Sequence, residues 1–172
     1  MKLDIISASP EDENTVQRIF QNCPSYFRKV EGCEVGPGFA KHEMNDRPSK
    51  MGPGYGKVFC IIRMDDEPVG IVDLHQNHPE TGIVYLGLLL LDERFQSRGL
   101  GRKIYEFIES LCQSGFKAQK IRLGISEHNR VEGFWEKMGF IRNGHGYEHQ
   151  GQALENATFE MEKQLLPLHL AQ

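Results

Sequence analysis

Apolar residues recur along this chain at two spacings. Residues 83–91, Ile83-Val84-Tyr85-Leu86-Gly87-Leu88-Leu89-Leu90-Leu91, are apolar at nearly every step. That is the pattern of a strand covered on both faces, and it is too short to span a bilayer. Beyond it Leu100, Ile104, Phe107, Ile108 and Leu111 fall on one helical face, with Arg102, Lys103, Glu106 and Glu109 turned away. This predicts an amphipathic helix that ends near Gly115. At the start, residues 3–7 predict a strand, and Ser9 is placed to cap a helix with Pro10 at its first position and Glu11, Asp12 and Glu13 in an acidic first turn. Val16, Ile19 and Phe20 give that helix its apolar face, and it should end by Pro24. Residues 25–30 read as a second short helix closing at Gly32.

From Cys33 to Lys57 the composition changes, with Gly36-Pro37-Gly38, Arg47-Pro48 and Gly52-Pro53-Gly54 breaking regular structure, so a long loop is expected. Residues 58–64 and 68–75 then read as two strands joined by Asp65-Asp66-Glu67, a hairpin that forms an antiparallel core with 83–91. Period-two alternation puts Val69, Ile71, Asp73 and His75 on one face. Residues 120–126 form a strand parallel to 83–91, because a helix intervenes. Asn129 is expected to cap a short helix whose apolar face is Val131, Phe134, Trp135 and Met138, ended by Gly139. Residues 140–142 begin a further strand and 157–163 supply the last. No repeat or linker divides the chain, so residues 1–172 read as a single α/β domain with its core at about 58–163.

Charge and cysteine content narrow the class. The formal net charge of −4 over 172 residues provides no basic field for nucleic acid, although Arg98 and Arg102 make a local positive spot. The first residues, Met1-Lys2-Leu3-Asp4-Ile5-Ile6, lack the long apolar region of a secretory signal, and no segment is long enough to span a membrane. A cytoplasmic protein without membrane or nucleic-acid partners is expected. Cys23, Cys33, Cys60 and Cys112 are far apart, which suggests neither a zinc site nor a disulfide framework, and Cys60 and Cys112 read as small core residues. His145 and His149 are flanked by glycines, and no metal is expected.

The chemistry concentrates where the apolar strand hands over to the helix, at Gln96-Ser97-Arg98-Gly99-Leu100-Gly101-Arg102. Free N–H groups and the positive dipole end at a helix N-terminus attract phosphate, and glycines let a ligand approach the main chain. A dinucleotide fingerprint wants a third glycine where this chain has Ile104, and no Gly-Lys-Ser/Thr completes a P-loop. The order Gln96-x-x-Gly99-x-Gly101 resembles the Gln/Arg-x-x-Gly-x-Gly/Ala signature of the GNAT family of N-acetyltransferases. Residues 129–140, Asn129 through Trp135 to Met138-Gly139-Phe140, resemble a second segment of that family.

The resemblance implies a GNAT fold, a mixed and mostly antiparallel sheet flanked by helices. It also implies an enzyme that moves an acetyl group from acetyl-CoA to an amine in a ternary complex. The expected acceptor is a primary amine of a small molecule. Protein amino groups, or CoA binding without turnover, are the alternatives, and a homodimer is admitted. By position Leu89 and Leu91 would hold the pantetheine arm and carbonyl, and Gln96, Ser97, Arg98, Gly99, Leu100, Gly101 and Arg102 the pyrophosphate. Asn129 resembles the family's pantetheine-binding Asn, although the usual spacing falls on His128. Trp135 stands where the family often has a Tyr that protonates the leaving thiolate. An indole N–H is no proton source, so Tyr147 or water must serve. No motif fixes the base; His75, oriented by Asp73, is the candidate, with Glu80 beyond it. Tyr26 and Phe27, and a flap from the 33–57 loop, would border the acceptor site.

Overall fold

The computed structural model describes residues 2–166. One seven-stranded sheet runs through the molecule in the order β1-β2-β3-β4-β5-β7-β6. Its strands are β1 (Leu3–Ser7), β2 (Gly56–Met64), β3 (Glu67–Gln76), β4 (Ile83–Leu91), β5 (Lys120–Ser126), β6 (Ile141–Gln150) and β7 (Glu155–Gln164). All neighbours are antiparallel except β4 and β5, as the intervening helix requires. Helices α1 (Glu13–Gln21), α2 (Pro24–Val30) and α3 (Phe39–Asn45) belong to one face. Helices α4 (Leu100–Ser110) and α5 (Glu132–Lys137) cover the other. No helix among the described residues is long and apolar enough to cross a membrane.

Two apolar cores follow from strand alternation. Cys60, Ile62, Val72, Leu74, Leu86 and Ile121 face α4 and α5, whereas Phe59, Ile61, Ile71 and Leu90 face α1 to α3. Val69 breaks the expected alternation. The β2–β3 register shifts between Ile62 and Arg63, and the extra residue turns Val69 into the core opposite Ile71. The β2–β3 hairpin turns on Asp65 and Asp66, both at positive φ (47° and 67°). This is the two-residue geometry that matches strand twist, so Glu67 belongs to the strand.

Other boundaries differ from the sequence reading for local reasons. Phe107 is 49% exposed, while Tyr105 is buried and takes its place on the inner face of α4. The expected 33–57 loop contains α3, whose start is held by one side chain. The Gln17 carbonyl accepts the Ala40 N–H at 2.9 Å, and its amide donates to Gly36 O at 2.9 Å. Ala40 is buried, and the Phe39 ring meets Phe20 and Phe27 edge-on. Asn129 does not cap α5; Val131 occupies the cap position. Cys60 and Cys112 lie in the core, and Cys23 is buried in the other core with its thiol donating to Leu91 O at 3.2 Å.

Candidate active site

The sheet is split where the apolar strand meets its parallel neighbour. Pairing between β4 and β5 runs from Ile83↔Lys120 only to Leu86↔Leu123, although β4 continues to Leu91 and β5 to Ser126. Past that point the β4 backbone that faces β5 has no strand partner, and a cavity of about 1000 Å³ opens between the strands. It reaches both faces of the sheet. Leu86, Leu89, Leu91, Asn129, Phe134 and Trp135 line it on the α4–α5 side, and Asp73, His75, Tyr85, Leu88, Leu90 and Tyr147 line it on the other.

At the α4 end the loop after β4 is fixed from below. Asp92, fully buried, accepts the Asn22 amide at 2.8 Å, the Arg94 N–H at 3.0 Å and the Arg94 guanidinium at 2.7 Å. Burial alone would raise its pKa, yet these donors hold it below the usual carboxylate value. The Gln96 amide donates to Leu91 O at 2.7 Å, so this side chain clamps the loop to the strand end while it borders the cavity. The Leu91 carbonyl, which also receives the Cys23 thiol, is thereby engaged, whereas the Leu89 main chain has no hydrogen bond outside the sheet among the described residues. Ser97 and Gly99 adopt positive φ (59° and 74°) just before the first turn of α4. A Cβ on Gly99 would meet nothing within 4 Å, so open space lies above this helix N-terminus. Gly101 serves differently, since a Cβ there would touch the Phe134 ring at 3.4 Å.

Gln96, Ser97, Gly99, Gly101 and Arg102 line the cavity. Leu100 and Arg98 do not line it. Leu100 is buried in the core, and Arg98 lies over the Phe95 ring at 5.7 Å. The loop offers backbone N–H groups, open space and one lining cation, which fits the phosphates of CoA. Trp135 packs edge-on against Tyr105, Phe134 and Phe140, and its indole N–H has no hydrogen-bond partner among the described residues.

The opposite side is built from side chains of several strands. Gly87 is the bulged residue of β4, since Asp73 pairs with Leu88 and Leu74 with Leu86. A Cβ on Gly87 would come within 3.0 Å of His75 Nε2 and 3.6 Å of Asp73 Oδ2, so its absence makes room for that pair. The Lys57 ammonium donates to Asp73 Oδ2 at 2.7 Å, with both side chains almost wholly buried, and His75 Nε2 lies 3.2 Å from the same oxygen. The Tyr55 hydroxyl meets His75 Nδ1 at 2.8 Å. Lys57 and Tyr55 were not singled out from the sequence, and both ring nitrogens of His75 are engaged. Glu80 is not among the residues that line the cavity.

Tyr147 reaches across β7 and β5 to Tyr85, hydroxyl to hydroxyl at 3.2 Å. Both ends lie over Gly124, where a Cβ would stand 2.6 Å from one oxygen and 2.8 Å from the other. Burial raises the pKa of Tyr147, so its hydroxyl is uncharged at neutral pH. On the helical roof Tyr26, Phe27, Glu43 and Asp46 line the same space, and burial raises the Glu43 carboxyl. Carboxylates outnumber cations on this side, with Glu31, Glu43, Asp46 and the Lys57-paired Asp73 against Lys29, whereas Arg102 and Lys137 line the α4–α5 side. Two more histidines, His78 and His149, border it. Neither carried a motif. His78 follows the β3 strand end in a turn, and His149 sits on an edge strand whose exposure gave no signal.

Comparison with known proteins gives consistent results. The model of the Acetyltransferase (GNAT) family matches residues 18–140. An acetyltransferase structure from Thermus thermophilus superposes with a TM-score of 0.72 at 24% identity, covering 96% of this chain and 98% of that one. A spermidine N-acetyltransferase from Vibrio cholerae in complex with CoA and spermine gives a TM-score of 0.71 at 13% identity, with 94% and 95% covered. PaiA N-acetyltransferase from Thermoplasma acidophilum in complex with coenzyme A gives 0.62 at 18% identity, with 96% and 100% covered. No curated protein matches the chain.

Proposed function

Because the chain belongs to the GNAT family of acetyltransferases, and is thus an acyl-CoA-dependent N-acetyltransferase, we propose that it acetylates a primary amine of a small molecule by direct attack in a ternary complex. The observation that carries this reading is the single cavity through the β4–β5 split, with a backbone phosphate cradle on one side and carboxylates on the other. A cation and a polyanion placed in it would sort themselves by charge.

Bound acetyl-CoA supplies the thioester whose acetyl group is transferred. Backbone N–H groups of Ser97, Gly99 and Gly101, with Arg102, hold the diphosphate, and Asn129 and Trp135 border the pantetheine arm. The unpaired β4 backbone around Leu89 presents donors to the carbonyl oxygen as negative charge builds on it. Asp73 and His75 flank the space over Gly87 and receive the acceptor ammonium, and Glu43 and Asp46 favour a cationic ligand from the roof. Tyr147 takes part in closing the acceptor side, and the departing thiolate takes its proton from water; its pKa, about 8.5 by analogy with Cys, makes it a tolerable leaving group near neutral pH.

The test is release of free thiol from acetyl-CoA with a panel containing propylamine, phenethylamine, 1,4-diaminobutane and a lysine-bearing peptide, with products identified by mass. Turnover of a small amine is expected. Acetyl-CoA binding without thiol release for any amine would overturn the enzymatic reading of the cavity, and turnover of the peptide alone would overturn the small-molecule acceptor.

A further inference from the structure

We propose that His78 is the general base that takes the proton from the acceptor ammonium, an inference that rests on the amine-acetylating reading above. Three histidines border the cavity, and their polar contacts separate them. His75 has Asp73 on Nε2 and Tyr55 on Nδ1, so with its N–H on the carboxylate its one lone pair is directed at the Tyr55 hydroxyl and not at the amine over Gly87. His149 is tied to Glu31 Oε1 at 3.0 Å. His78 has no side-chain hydrogen bond or ion pair among the described residues, and its ring is partly open to the cavity.

Its position suits the task. The ring stands 6.0 Å, centroid to centroid, from that of His75, whose Nε2 borders the space over Gly87, and 5.9 Å from the Tyr85 ring. An amine over Gly87 lies beside His75, and water in the cavity would carry its proton the further step to His78. Its aromatic neighbours, Tyr55 from before β2, His75 on β3 and Tyr85 on β4, leave the imidazole few polar contacts. The charged groups that face it are Arg122 on β5 and Glu160 on β7, and Arg122 is itself engaged by Glu160 and Glu162. Burial, then the neighbouring His75, lowers the His78 pKa below its ordinary 6.5, with Arg122 acting the same way and Glu160 against. The imidazole therefore keeps a free lone pair at neutral pH.

The step balances as follows. The alkylammonium gives one proton to His78, which passes it to solvent. The exposed nitrogen pair forms the C–N bond while the C–S bond breaks and its electron pair leaves on sulfur. The remaining excess N–H proton goes to solvent, and the thiolate takes one back.

The experiment is the pH–rate profile of kcat/KM for wild type, His78→Asn, His75→Asn and Glu43→Gln with whichever panel amine turns over, beside NMR titration of the imidazoles. In wild type the acidic limb should fall below pH 6.5 and coincide with the His78 titration, because protonation removes the base and the lowered pKa moves that loss to the acid side. His78→Asn should lose roughly 10²–10⁴ in kcat/KM, lose the limb, and recover activity with added imidazole, while binding acetyl-CoA normally. A folded His78→Asn that keeps the limb, or loss of the limb in His75→Asn or Glu43→Gln instead, would overturn the assignment. A silent wild type with every amine would instead overturn the function on which it rests.

Discussion

The two sides of the cavity are made in different ways. On the α4 side the cavity wall is main chain: Ser97 and Gly99 at positive φ, the N-terminus of α4, and a stretch of β4 without a partner on β5. On the α1–α3 side it is built of side chains from β2, β3, β4 and α3, held by a buried charge pair and by glycines at Gly87 and Gly124 that leave room for their neighbours. A backbone site is tuned by few residues and must keep its spacing. A side-chain site can change its contents while the sheet beneath it stays the same, which suits a common cosubstrate facing a variable acceptor.

The sharpest way to break this contrast is at Lys57. Lys57→Met leaves the Asp73 carboxylate buried without its cation, and the variant should lose about 3–5 kcal/mol in chemical denaturation. Adding Asp73→Leu should restore much of that, since an apolar pair needs no compensation. Unchanged stability of the single variant would mean that the acceptor side is not pinned by this pair. Gly99→Val acts on the other side, by forcing a β-branched residue to φ +74° and placing methyl groups in the space above the helix end. The acetyl-CoA dissociation constant should rise at least about tenfold, or 1.4 kcal/mol. Calorimetry that finds wild-type affinity in a folded variant would end the cradle assignment.

The smallest effect separates packing from catalysis. Tyr147→Phe removes one hydroxyl contact, and kcat should change by no more than the net worth of a hydrogen bond, about 1 kcal/mol. A loss of roughly 10²–10⁴ with an unaltered melting temperature would instead make Tyr147 the acid that serves the thiolate.

The same contrast governs what was legible in the sequence. Gln96-x-x-Gly99-x-Gly101 marked the turn into α4 because a left-handed backbone at Gly99 and the Phe134 ring against Gly101 both call for glycine. The apolar run at 83–91 announced the central strand. Helix α3 escaped notice because it is short, begins after a left-handed Gly38, and is anchored by Gln17, which lies 23 positions from Ala40. Lys57 and Tyr55 carried no local signal, since their meaning depends on the β2–β3 register that sets Lys57 beside His75 and Phe59 beside Asp73. His78 was likewise only a turn residue until the fold placed it among Tyr55, His75 and Tyr85. Register shifts at Ile62/Arg63 and at Gly87 are invisible to period-two reasoning, and they explain why Val69 turned over and why Asp73 and His75 have space.

The short seam between β4 and β5 has a consequence beyond catalysis. Only four residue pairs join the leaf β1–β4 to the leaf β5-β7-β6, so a ligand in the gap would span the narrowest seam of the sheet. Occupancy then adds to the folding free energy as RT ln(1 + [L]/Kd), about 2.7 kcal/mol at a ligand concentration one hundred times Kd. An acyl-CoA bound across that seam would thus act on the chain's stability as well as on its chemistry.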